Sequence, residues 1–252
     1  MRNFASVERL MPQVSLVIPC RNESARLPRT LEVLGQFLES FEPSVEVVVV
    51  VEQSSDNTVQ IAREFAAKDD RIRVIANPIA RGKGYAVKTG MLSATGDIIF
   101  FMDADLSVPL RFVTEYLADF EAGADVVFGS RQHQESVIAR SQPFQRVAYG
   151  RLFNFSLRAL GATRFKDTQC GFKAFRREAA QWIFSRLTVD GFGFDVEALA
   201  LADVMGYKIR ERPVEWSDAP GSTVRALRDG SAAFQEALLA SWKARRFRST
   251  RS

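Results

Sequence analysis

At 252 residues the chain is long enough for one large α/β domain or two small ones, with a substantial core. Hydrophobic residues make up 46% and charged residues 25%, an ordinary soluble balance, and a formal net charge of +4 is too small to argue for nucleic acid. The single histidine, His133, excludes histidine-based triads and multi-histidine metal sites.

Cys20 and Cys170 lie far apart and form no disulfide framework, which points to a reducing cytosol. The N-terminal MRNFASVERLMPQ lacks the apolar core of a signal peptide, and no apolar run reaches the roughly 18 residues a membrane span needs. The expected setting is cytoplasmic, at most peripheral on the cytoplasmic face of a membrane.

In chain order, VSLVIP (14–19) and VEVVVVV (45–51) are β-branched runs without alternation, as in parallel strands covered on both faces. Between them Leu27, Leu31, Leu34 and Leu38 fall at helical spacing, with Pro28 suited to a first turn. SDNTVQIAREFAAKD predicts a second helix, with Ser55 or Asp56 as its N-cap. RIRVIA (71–76) predicts a third strand, GYAVKTGMLSA a short helix and DIIFFM a fourth strand. This order predicts right-handed crossovers and an open parallel sheet, whose ligands bind beyond the carboxyl ends of the strands.

After ADVVFGSR (124–131), another expected strand, the alternation fades into a basic, aromatic-rich segment over 132–175. REAAQWIFSRL and DVEALALADVMG predict helices, YKIRERPVEW a strand, and the tail from about Asp229 a helix. No repeat, low-complexity tract or linker interrupts the chain. One domain over 1–252 is expected, with a regular first half (14–130) and a specialised second half (131–252).

The chemistry concentrates in GDIIFFMDADLS (97–108), where an expected buried strand runs into Asp103 and Asp105. Two close carboxylates repel unless a cation neutralises them, and a hard divalent ion, Mg²⁺ or Mn²⁺, does this with oxygen ligands. Such an ion could bridge a diphosphate and stabilise it as a leaving group. ARGKGYA (80–86) offers two glycines, Arg81 and Lys83 ahead of a helix, which suits anion contact; a plain glycine turn is the alternative. It does not match the nucleoside-triphosphatase loop. PCRNE (19–23) ends the first strand at the same edge, as a nucleoside contact or a simple helix cap.

Together VIPCRNE, SSDNT, RGKGYAVKTGM, GDIIFFMDADLS, FGSR, DTQCGFKAF and GFGFDVE resemble the inverting family 2 glycosyltransferases of the GT-A fold. The similarity is to the branch of dolichyl- or polyprenyl-phosphate glucosyltransferases and mannosyltransferases. DTQCGFK followed by FDVE is nearer the glucosyl branch. The resemblance implies an α/β fold with an open, mostly parallel twisted sheet flanked by helices.

It also implies roles. Pro19, Arg21 and Glu23 would line the nucleoside pocket, with Arg81 and Lys83 on the donor side. Asp103 and Asp105 would hold the donor diphosphate through the metal, with Ser107 as a further ligand. Arg131 would meet an acceptor phosphate, with Arg140, Arg146, Gln169 and Arg225 also on the acceptor side. Asp195 and Glu197 stand where soluble-acceptor relatives keep a catalytic base. Two departures stand out. Val51-Glu52-Gln53-Ser54 replaces the usual Asp-Asp-Gly-Ser, with Glu52 as the substitute carboxylate, and Thr223 stands where relatives place a lysine, a charge that Arg225 could supply.

From Ser136 to Lys166 there is no acidic residue but Arg140, Arg146, Arg151, Arg158, Arg164 and Lys166, and the last ten residues add Lys243, Arg245, Arg246, Arg248 and Arg251. Solvated surface charge is one reading; an anionic membrane surface is the other. On a helix over 145–160, Tyr149, Phe153, Leu157 and Leu160 form one stripe, which either packs on the core or dips into a bilayer. The expected activity is metal-dependent transfer of a hexose, glucose from UDP-glucose, to polyprenyl or dolichyl phosphate. The alternatives are a soluble hydroxyl acceptor and a non-catalytic nucleotide-sugar or membrane-binding module.

Overall fold

The computed structural model describes residues 14–140, 144–218 and 226–247. The β-branched runs are strands, as their lack of alternation predicts: β1 (Val14–Cys20), β2 (Val45–Val51), β3 (Ile72–Ala76) and β4 (Ile98–Met102). Their crossovers carry α1 (Leu27–Glu39), α2 (Thr58–Ala66) and α3 (Lys83–Ser93). The chain continues through α4 (Arg111–Glu121), β5 (Val126–Ser130), β6 (Val137–Arg140), α5 (Phe144–Ala159), β7 (Phe172–Arg176), α6 (Arg177–Arg186) and α7 (Phe194–Val204). It closes with β8 (Ile209–Pro213), β9 (Glu215–Ser217) and α8 (Ala226–Ala244).

The main sheet has seven strands in the order β3-β2-β1-β4-β7-β5-β8. β7 alone among them runs antiparallel, to both β4 and β5. Sequence reading misses this strand because Phe172–Arg176 sits in a basic segment and places a charge, Lys173, fully buried at the sheet centre. The expected strand YKIRERPVEW divides at Val214. There the Val214 N–H donates to Ser136 Oγ (3.1 Å) and its carbonyl accepts from the Val137 N–H (3.0 Å), drawing β9 off the main sheet to pair with β6.

Leu27, Leu31, Leu34 and Leu38 are all buried under one face of the sheet, as their spacing predicts. The other face carries α3, α6 and α7 over Val17, Val48, Val50, Ile99 and Phe101. Two expectations need correcting. The N-cap of α2 is Asn57, with no side-chain cap bond. Asp56 instead accepts from Thr58 and, across the loop, from the Ser24 N–H (3.1 Å).

The stripe on α5 also divides. Phe153 and Leu157 are buried with Val196, Ala233 and Ala237, Phe153 meeting Phe234 edge to face, so core packing is their role. The apolar residues left outside are Phe144, Leu152 and Phe155, with Leu160 just beyond the helix.

α3 reaches the sheet through small residues. A Cβ on Gly90 would stand 2.3 Å from Val17 Cγ1 and 2.9 Å from Val50 Cγ2, so overpacking outweighs the helix propensity alanine adds. Gly90→Ala should destabilise the fold by about 1–3 kcal/mol. Chemical denaturation checks this; unchanged or raised stability would contradict the close approach.

Candidate active site

The carboxyl ends of β1, β2 and β4 converge on one edge. β1 turns there through Asn22, whose positive φ of 55° is a conformation asparagine tolerates better than most residues. The SSDNT segment braces that turn. Asn22 N–H donates to Ser54 Oγ (3.0 Å), Ser55 N–H to Asn22 Oδ1 (2.8 Å), and Glu23 N–H to Thr58 Oγ1 (2.8 Å). Burial pushes the Asp56 carboxyl up, but hydrogen bonds from Thr58 and Ser24 outweigh it and bring its pKa to about 2. Pro19 is half-buried and Arg21 exposed. Both oxygens of Glu23 accept from Arg26, at 2.7 and 2.8 Å.

β4 delivers the two aspartates. Asp103 N–H extends the β4–β7 ladder by donating to Gly171 O (3.0 Å), and its carboxylate lies over that glycine. Leu106, with φ 51°, closes a tight turn, and Ser107 folds back so that its N–H (3.0 Å) and O–H (2.7 Å) both donate to Asp105 Oδ1. Ser107 thus orients Asp105. Burial raises the Asp105 carboxyl above the usual range, and the nearby charge of Asp103 raises it further.

The glycine loop enters the same site. Glu52 is buried, and its Oε1 accepts from the N–H groups of Arg81 and Gly82, both at 2.9 Å. Its carboxylate therefore fixes the loop backbone. Arg81 lies outward, paired with Asp190 (2.6 Å) and stacked on Tyr85 (4.1 Å). Lys83, at the N-terminus of α3, reaches inward to Asp103 Oδ1 (2.6 Å). Burial lowers its pKa, but Asp103, Asp195 and Asp105 outweigh that and keep it cationic.

Asp195 stands in the first turn of α7, where the helix N-terminus favours an acid. Its Oδ1 pairs with the buried ammonium of Lys173, which also donates to Cys170 O (2.7 Å). Burial holds its carboxyl above the usual range although Lys173 and Lys83 pull it down. Glu197 is engaged elsewhere, accepting from Thr188 N–H (2.9 Å), Thr188 O–H (2.7 Å) and Val189 N–H (2.8 Å).

Arg131 follows β5. Its Nε (2.7 Å) and Nη2 (2.8 Å) donate to Asp167, a fully buried carboxylate, and its guanidinium faces Trp216 at 5.6 Å. Burial raises the Asp167 carboxyl, but Arg131 outweighs it and holds it below the usual range. Gln169 donates to Phe192 O (3.2 Å), and Arg140 is exposed on β6. The side chain of Arg146, and Thr223 and Arg225 entirely, lie outside the described residues. Asp167, Lys173 and Gly171 are parts of this site that sequence reading left without roles; all three lie within DTQCGFK. A cavity of about 410 Å³ at the other end of α7, lined by Ala162, Leu199, Asp203 and Arg245, contains none of these residues.

A family model described as glycosyl transferase family 2 matches residues 15–184. The chain belongs to that family. This glycosyltransferase is 34% identical to the dolichyl-phosphate beta-glucosyltransferase of Drosophila melanogaster, over 83% of this chain and 68% of that one. Against the human enzyme of the same name identity is 36%, over 83% and 69%. The chain spans about two thirds of the length of these relatives.

Among solved structures, glucosyl-3-phosphoglycerate synthase from Mycobacterium tuberculosis in complex with UDP superposes with TM-score 0.68 at 19% identity, covering 92% of this chain and 80% of that one. Its complex with Mn²⁺, UDP and glucosyl-3-phosphoglycerate gives 0.65 at 20% identity, over 93% and 80%. The likeness shows the fold, a GT-A-type sheet.

The donor set fits a hard divalent ion that arrives with a ligand. Asp103 and Asp105 supply carboxylate oxygens, and no cluster of three or more acidic, histidine or cysteine ligands exists among the described residues. Magnesium-type ions take one or two carboxylates, with phosphate oxygens and water completing the shell. Asp105→Ala should leave the fold intact and abolish the metal-dependent part of UDP binding. Calorimetric titration of UDP with and without Mn²⁺ tests this; a metal dependence equal to wild type would refute it.

Proposed function

We propose that this glycosyltransferase moves glucose from UDP-glucose to a polyprenyl or dolichyl phosphate, in a metal-dependent, inverting reaction at the β1–β2–β4 edge. The observation that carries the reading is Arg131, a partly exposed guanidinium oriented through Nε and Nη2 by a buried carboxylate, as a fixed phosphate contact requires. The names of the Drosophila and human relatives, both dolichyl-phosphate beta-glucosyltransferases, support the acceptor and the sugar. Residues 14–130 bind the donor and 131–252 the acceptor.

Asp103 and Asp105 would hold Mg²⁺ or Mn²⁺, which when bound neutralises charge on the departing diphosphate. Lys83 supplies a further cation beside it. An acceptor phosphate oxygen forms the bond to the sugar's anomeric carbon as the bond to the diphosphate oxygen breaks and its electron pair leaves with UDP. A phosphate monoester, with a second pKa near ~6, is already mostly ionised at neutral pH, so no base is needed. Orientation and charge stabilisation do the work. The bond between Asp195 and Lys173 accords with a structural part for that aspartate.

A second reading, a soluble acceptor, draws on the solved enzyme whose complex contains Mn²⁺, UDP-glucose and phosphoglyceric acid. Its base would be Asp195. Transfer assays on the two acceptor classes separate the readings. Under the lipid-phosphate reading, Arg131→Lys, which keeps the charge but gives up the fork, should reduce transfer on the order of 10²-fold, and Asp195→Asn should retain substantial turnover. A loss of 10²–10⁴-fold in folded Asp195→Asn, with Arg131→Lys unimpaired, establishes the soluble acceptor instead.

The acceptor's chemistry calls for a membrane contact, here the cytoplasmic face of an anionic bilayer. No helix among the described residues is long and apolar enough to cross one. The outer faces of α5 and α8 expose Phe144 (83%), Leu152 (61%), Phe155 (60%), Leu239 (55%) and Trp242 (47%), beside exposed Arg151, Lys243 and Arg246. Aromatic anchors flanked by cations suit the interface of an anionic membrane, where each cation contributes about 1 kcal/mol, screened over roughly 8 Å at physiological salt. Flotation with anionic vesicles should weaken as salt rises and be lost in the pair Phe155→Ser with Trp242→Ser. Binding that ignores both changes would remove this face from the proposal.

A further inference from the structure

Helix α5 presents two unlike faces. Outward lie the exposed Phe144, Leu152 and Phe155; inward lies Asn154, a polar residue only 2% exposed. Asn154 Oδ1 accepts from the Thr168 N–H (3.2 Å) and O–H (3.0 Å), and its Nδ2 donates to Gly150 O (3.1 Å). The next residue back is Asp167, which accepts from Arg131 N–H, Nε and Nη2 and from Gln169 N–H. One polar chain therefore runs from α5 through Asn154, Thr168 and Asp167 to the guanidinium of Arg131. Asn154, Thr168 and Asp167 are all buried.

Stability alone does not call for this arrangement. A buried ion pair such as Arg131 with Asp167 adds little over a well-packed apolar replacement. A fully satisfied network does something else: it fixes one geometry. Asp167 takes Nε and Nη2 of Arg131 and sets the plane and direction of the fork, while Asn154 fixes the 167–169 loop relative to α5.

We propose that Asp167 and Asn154 are positioning residues that hold Arg131 at a set offset from the outer face of α5, so that docking of that face brings the guanidinium to a membrane-anchored phosphate. The inference rests on the reading above, in which Arg131 meets a lipid phosphate. Asp167 orients the arginine for any phosphate acceptor. Asn154 matters when the acceptor's depth is fixed by a bilayer.

The test uses the full chain, UDP-glucose, Mn²⁺ and two acceptors, a long polyprenyl phosphate in anionic vesicles and a short water-soluble prenyl phosphate. Asp167→Asn keeps the shape and removes the charge; it should raise KM for both acceptors by tenfold to on the order of 100-fold, with a smaller effect on kcat. Asn154→Leu keeps the branching at Cγ, in a larger side chain, and cuts the link to α5; it should raise KM for the vesicle acceptor and spare the soluble one. UDP–Mn²⁺ affinity and vesicle flotation should match wild type in both.

Equal loss of donor and acceptor binding, together with a lowered Tm, would make the network merely structural and overturn the inference. So would a wild-type KM in both folded variants while Arg131→Lys is impaired, an outcome that leaves the functional reading standing. Normal transfer by Arg131→Lys would instead remove that reading and the inference with it. Should Asp167→Asn not fold, Asn154→Leu, which strands no charge, decides alone.

Discussion

The antiparallel pairing of β4 with β7 is the constraint on which the site depends. A parallel strand at that position would enter from the opposite edge and carry its preceding loop away from the carboxyl ends of β1, β2 and β4. Because β7 runs the other way, the loop that precedes it arrives at Asp103, whose N–H donates to Gly171 O (3.0 Å). Any side chain on residue 171 would collide with that carboxylate, since a Cβ there would stand 1.9 Å from Asp103 Oδ2. The glycine thus serves close approach, and the acidic pair meets the DTQCGFK segment across it.

Charges of alternating sign surround this junction. Lys173 pairs with Asp195, Lys83 pairs with Asp103, and Asp195 and Asp105 also lie within the field of Lys83. Such pairs contribute little net stability after desolvation, but each fixes a side chain that would otherwise sample several rotamers. The glycine loop is held from two directions. Glu52 takes its N–H groups, and at Gly82 (φ 132°) a Cβ would stand 2.4 Å from Asp190 O. Lys83 is thereby aimed from a rigid base.

The sheet was legible in the sequence where burial on both faces makes a strand uniformly apolar, as in β1, β2 and β4. The same logic hid β7, whose central Lys173 reads as surface charge until its partner Asp195, 22 residues away, is brought to it. The Asp-x-Asp pair was visible because it follows a buried strand at the sheet's carboxyl edge, the glycine loop because its glycines and cations precede a helix, and Arg131 through the resemblance to the family. What holds them was not, since Asp167 with Arg131 and Glu52 with Gly82 are separated by 36 and 30 residues. On α5 the two readings stayed open for another reason. Both sides of the helix carry large apolar residues, so periodicity alone could not say which side the core takes. α8 decides it, by burying Phe153 and Leu157.

The family's usual acid at position 51 is the clearest departure, and the fold explains how the chain tolerates it. Val51 is fully buried, paired in register with Cys20 and with Ala76, so the position has become part of the sheet's interior. A carboxylate there would need a partner that this apolar setting lacks. Glu52 is buried, with its Oε1 bound to the loop that carries Arg81 and Lys83. The one acid of this segment thus supports the cationic loop. Of the candidate pocket residues at that edge, Glu23 is bound to Arg26, and the exposed side chain is Arg21. In this chain, the glycine loop and the PCRNE turn are therefore held by different residues, Glu52 for the first and Ser54, Ser55 and Thr58 for the second.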